Sequence, residues 1–179
     1  MDKRGTAGTL ALILVMTLGG TRGAVAAEAS STLARVRSTD AVLADLIEQA
    51  ADRSPTFRAE LAAIQATDGI VYVEPGLCRH GVRACFKTWI YASGAYRFVR
   101  IVISTKHYKD EADAAGSIGH ELQHALEALS QRKLTNGHQL YDYLSRTATM
   151  DDMRFETADA VNAGEAVYVE FRKSLRTGQ

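Results

Sequence analysis

The chain is predicted to fold as an α+β protein, and three observations carry that reading. Apolar residues recur at helical spacing over residues 40–66, crowd with β-branched and aromatic types over residues 70–104, and return to helical spacing from residue 111 onward. The 179 residues are 46% hydrophobic, which suits one domain with its own core. Basic and acidic side chains balance at 21 each, so no excess of positive charge points to a nucleic-acid partner. The domain is expected over residues 39–179, preceded by a flexible arm at residues 28–38 whose small polar residues hold no period.

From Asp40 the pattern is helical: Val42, Leu43, Leu46, Ile47 and Ala50 fall three and four apart. Ser54-Pro55 then supplies an N-cap and a proline at the first helical position, which predicts a second helix to about Ala66 that buries Phe57, Leu61 and Ile64. Asp68-Gly69 ends it as a turn. Ile70 to Val73 reads as a strand that stops at Glu74-Pro75-Gly76. Phe86 to Tyr91 and Tyr96 to Ser104 are β-rich runs around a turn containing Gly94, so they predict a hairpin. The second run alternates imperfectly and leaves its buried face open.

A third helix is expected from Asp110 or Glu111 to about Gln131, since Asp110, Glu111 and Asp113 favour the positive end of a helix dipole. Thr135-Asn136-Gly137 marks a turn, residues 138–150 a linker or short helix, and Asp151 or Asp152 the cap of a last helix from Met153 to about Leu175.

The amino end reads as a signal peptide over residues 1–27. Lys3 and Arg4 precede an apolar run from Leu10 to Leu18, and Ala24, Val25, Ala26 and Ala27 follow, with cleavage expected after Ala26 or Ala27. The run falls short of the roughly 20 residues that a membrane-spanning helix needs, so no stable span is expected after cleavage. Cys78 and Cys85 both lie in the exported part and are expected to form a disulfide in an oxidising compartment, the secreted or periplasmic space. A zinc role for them is the weaker alternative, because only His80 lies between them.

The functional signal is His120-Glu121-Leu122-Gln123-His124, the arrangement His-Glu-x-x-His. Two histidines four apart on a helix stand one above the other, so both imidazoles can reach one Zn²⁺ at about 2.0–2.1 Å. Glu121 then faces the metal's water as a candidate general base. On the same helix Ile118, Leu122, Ala125 and Leu129 form a separate apolar side, which leaves the histidine side free to line a cleft. The motif supplies two of the three protein ligands that a hydrolytic zinc site uses.

This pattern resembles the gluzincin group of zinc metallopeptidases, in which a glutamate from a later helix completes the site. The matching stretch is Phe155 to Ala160. The resemblance implies a zincin-like fold, with Glu156 as third ligand and Asp159 orienting a ligand histidine. The commoner family spacing is Glu-x-x-x-Asp, whereas Glu156 and Asp159 are three apart. Glu165, His138 and Glu127 stand as alternative third ligands. Tyr141, Tyr143 and Tyr168 are candidate donors to an oxyanion, with nothing in the spacing to choose among them. Tyr96 to Ser104 is either a core strand or, by the resemblance, an edge strand that pairs with an extended peptide substrate.

The resemblance thus implies an exported zinc peptidase that acts on a peptide or protein by a metal-activated water. Two alternatives stay open: a non-catalytic exported zinc-binding or interaction module, and a zinc amidase acting on cell-wall peptide.

Overall fold

The computed structural model describes residues 35–78, 82–104, 106–151 and 154–178. The expected signal peptide, His80 and most of the expected arm lie outside the described residues. The fold is α+β, with five helices and a small mixed sheet among those residues. In chain order these are β1 (Val36–Arg37), α1 (Ala41–Arg53), α2 (Pro55–Gln65), β2 (Gly69–Pro75), β3 (Ala84–Ser93), β4 (Tyr96–Ile103), α3 (Glu111–Ser130), α4 (Gly137–Thr147), β5 (Thr149–Asp151), β6 (Arg154–Glu156) and α5 (Ala158–Thr177). No helix among the described residues is long and apolar enough to cross a membrane.

Capping chemistry sets the first helices. The Asp40 carboxylate accepts from the Leu43 amide at 3.0 Å, the Ser54 hydroxyl from Phe57 at 3.0 Å, and Asp110 from Asp113 at 2.9 Å. Asn136 caps α4 in the same way, so the segment expected as a linker or short helix is a helix. The α1–α2 crossover returns the chain so that β2 runs parallel to β1. The end of the expected arm is therefore fixed in the sheet, where Val36 is buried against the core.

The four-stranded order is β1-β2-β4-β3. The hairpin expected over residues 86–104 forms, turning at Gly94 with φ +59°. Tyr96 to Ile103 is a central strand, because β2 pairs with it parallel on one side and β3 antiparallel on the other. The edge strands are the two-residue β1 and the longer β3. Helices cover one face of the sheet, where Phe57, Leu61, Ile101, Ile103, Ile118 and Phe171 are fully buried. Each such side chain contributes roughly 1.5–3 kcal/mol by leaving water.

The imperfect alternation of β4 has a specific cause, since Arg97 sits on the buried face at 3% exposure. Its guanidinium donates to the carbonyls of Leu129 (2.5 Å), Gln131 (2.8 Å) and Leu134 (3.3 Å), closing the negative end of α3, and pairs with Asp68 at 2.5 Å. Removing it strands these carbonyls, each worth about 1–3 kcal/mol when buried without a donor. Arg97→Met is expected to destabilise the fold by about 3 kcal/mol in urea unfolding, and a loss below about 1 kcal/mol would contradict this role.

A second buried charge site lies where α2 meets α3 and α5. Glu60 is 5% exposed and neither of its carboxylate oxygens has a partner. Burial, with the nearby Glu170 carboxylate adding to it, pushes Glu60 from the ordinary 4.5 up to about 9. The folded chain thus holds a proton that the unfolded chain releases above pH 4.5. That contribution is complete below about pH 4.5 and fades as pH rises towards 9, at about 1.4 kcal/mol per pH unit. Urea titrations between pH 5 and 9 are expected to show this decline in wild type and not in Glu60→Leu; equal slopes would contradict it.

Candidate metal centre

Among the described residues the most extensive helix-to-helix contact lies between α3 and α5, and it is close because glycines face each other. A Cβ on Gly164 would stand 2.9 Å from the His120 Cβ and 3.0 Å from the Gly116 carbonyl oxygen. A Cβ on Gly116 would in turn stand 2.9 Å from the Gly164 carbonyl oxygen. Both positions need the missing side chain so that α5 can lie against the histidine helix.

As the helical spacing predicts, Ile118, Leu122, Ala125 and Leu129 are buried in the core while His120 and His124 face a cleft of about 960 Å³. Glu156 reaches the same cleft, and one ligand atom from each of His120, His124 and Glu156 lies within 4.8 Å of the others. The His120 Nε2 to Glu156 Oε2 distance is 3.2 Å. Two ligands on a tetrahedral zinc are about 3.4 Å apart, so the pair is spaced as such a site requires.

The element that carries Glu156 differs from the expected one. The last helix starts at Ala158, where the Thr157 hydroxyl caps it by accepting from the Ala160 amide at 3.2 Å. Glu156 therefore ends β6, in a short antiparallel pair with β5 that includes Thr149 opposite Glu156. Extended backbone turns Glu156 towards the histidines. Asp159, two residues past the cap boundary, lies exposed on the first turn of α5, and no hydrogen bond joins it to either histidine among the described residues.

The donors fit a divalent cation. His124 is 4% exposed, and its Nε2 is a buried nitrogen with no hydrogen-bond partner. An orphaned nitrogen of this kind costs about 1–3 kcal/mol unless something takes its lone pair. Two imidazoles and one carboxylate are also a donor set suited to zinc with one position left open.

Glu121 lines the same cleft, 7% exposed, with one oxygen accepting from the Phe86 amide at 2.6 Å. Burial raises its carboxyl above the usual range, and the two histidines and the Phe86 N–H only partly offset this. For His120, burial disfavours the charged ring, but the Glu156 hydrogen bond and the surrounding carboxylates outweigh it and raise its affinity for a proton. Also lining the cleft, Tyr141 packs edge-on against Phe155 at 5.4 Å, and Arg83 pairs with Asp113.

Among the other sequence candidates, Glu165 lines the cleft outside the three-residue group, and His138 is exposed on α4 away from it. Glu127 faces His124 on the side away from the cleft group, its Oε2 3.3 Å from Nδ1. Tyr141 and Tyr168 line the cleft, whereas Tyr143 lines a neighbouring hollow. The cleft wall also includes Cys78 and Cys85, joined as the expected disulfide. The Phe86 amide and the contact of Glu127 with Thr157 are not visible in the sequence, since a main-chain donor has no residue signature and a helix starting at Met153 puts Thr157 in its interior. Comparison with protein-family models, curated proteins and solved structures finds no match to this chain.

Proposed function

We propose that the protein is an exported zinc-dependent peptidase of zincin-like architecture. One observation carries the reading: His120, His124 and Glu156 each bring a ligand atom within 4.8 Å of the others in an open cleft that also holds the buried Glu121 carboxylate, and the His124 Nε2 is buried there without a partner. His120, His124 and Glu156 would hold the ion. When bound, zinc lowers the pKa of water towards neutrality and polarises a carbonyl.

The remaining chemistry belongs to the chain. Glu121 is fixed by the Phe86 amide through one oxygen, which leaves the other to take a proton from the attacking water and pass it to the departing amine. Its raised proton affinity suits that exchange near neutral pH. An extended peptide has a place beside β3, the sheet edge along the cleft, where main-chain hydrogen bonds give affinity without sequence demand. The Phe86 amide on that strand already serves Glu121, and further along Gly137 at the start of α4 abuts the Thr88 carbonyl, so the main-chain groups before Thr88 other than the Phe86 amide are the ones left for a substrate. The disulfide supports export into an oxidising compartment.

The test is a fluorogenic peptide library, with cell-wall peptides as a separate arm, given to the zinc-loaded protein. Cleavage that stops with a chelator and returns with zinc is expected. Stoichiometric zinc with no cleavage in either arm would overturn the peptidase reading and favour a binding module.

A further inference from the structure

We propose that Glu127, and not Asp159, is the positioning residue for the metal centre, and that it ties the two ligand-bearing elements together through Thr157. The inference rests on the metal-binding reading of His120, His124 and Glu156. It concerns a link that neither the motif nor the resemblance assigns.

The two oxygens of Glu127 are both engaged. Oε2 lies 3.3 Å from His124 Nδ1, and Oε1 accepts from the Thr157 hydroxyl at 2.7 Å. A carboxylate oxygen facing a ring nitrogen at this distance is best met by an N–H, which places the ring proton of His124 on Nδ1. Nε2 is then the bare nitrogen, and it is the atom left buried without a partner on the residue that groups with His120 and Glu156. Fixing the tautomer and the ring plane in this way raises the basicity of a ligand histidine.

Thr157 extends the link. Its oxygen accepts from the Ala160 amide while its proton goes to Glu127, so one hydroxyl both starts α5 and holds the residue next to Glu156 against α3. The chain of contacts runs from His124 on α3 through Glu127 to Thr157, then along one peptide bond to Glu156. Glu127 thereby sets the orientation of one ligand and the position of another. With both oxygens committed, it is not available as the third ligand.

The test measures Co²⁺ affinity and the cobalt visible spectrum of the purified protein, with Zn²⁺ competition, and the melting temperature of each metal-free variant. Glu127→Ala is expected to bind 10–100-fold more weakly and to shift the cobalt bands, with Glu127→Gln, which keeps an acceptor oxygen, recovering part of the loss. Asp159→Asn is expected to match wild type. A merely structural role for Glu127 would lower the metal-free melting temperature and leave affinity and spectrum unmoved. Should Glu127→Ala not fold, Thr157→Val and Thr157→Ser decide the matter: weaker binding in the first and near wild-type binding in the second is the expected pair. Wild-type affinity in both Glu127→Gln and Thr157→Val, or a loss confined to Asp159→Asn, would overturn the proposal. If wild type itself bound neither ion, the underlying metal reading would fail instead.

Discussion

Glu121→Gln is expected to keep its metal and lose peptide hydrolysis by about 10²–10⁴-fold, the range a positioned general base contributes. Glutamine preserves the shape of the side chain and an oxygen for the Phe86 amide, so the cleft wall stays in place. What disappears is the ability to take a proton. The side chain is buried and faces the cleft, so no solvent carboxylate can take its place. The check is kcat on the best library peptide together with metal content of the same sample. Retained turnover with retained metal would assign the base elsewhere.

His124→Ala is expected to have the largest effect on metal itself. The substitution deletes one of the three ligands of the group, and the affinity loss should exceed the 10–100-fold typical of losing an outer hydrogen-bond partner. Because Nε2 is the orphaned atom, wild type gains most from the ion, so added zinc should raise the melting temperature of wild type and leave His124→Ala unmoved. Equal zinc-induced shifts in the two proteins would contradict this.

The parts of the fold with local chemical signals were legible in the sequence. Asp40, Ser54-Pro55 and Asp110 announce three helix starts, and the glycine turn between two β-rich runs announces the hairpin. The histidine face of α3 followed from spacing alone. Long-range pairing did not. Nothing local shows that β2 returns to pair with β4 and leaves β3 at the edge, because strand order is decided by the crossover and not by composition. Arg97 hid the buried face of β4, since a charge in the core breaks the alternation that a period-two reading relies on.

The site shows the same division. The resemblance points to Glu156, but the sequence does not show its element, because Asp151 and Asp152 look like caps at least as much as Thr157 does. Moving the helix start from 153 to 158 changes the geometry of the whole stretch. Within one helix Glu156 and Asp159 would share a face; with the boundary between them, one points to the histidines and the other to solvent. The histidine partner then comes from Glu127, one turn beyond His124 on the same helix, at a spacing that reads equally well as ordinary surface charge.

The measurement that bears most directly on the central claim is native mass spectrometry of the purified protein after zinc loading, with His120→Ala and Glu156→Ala in parallel. The account predicts one zinc per wild-type chain and loss of that stoichiometry in both variants. A wild-type chain that takes up no metal, or variants that hold it as tightly as wild type, would contradict it.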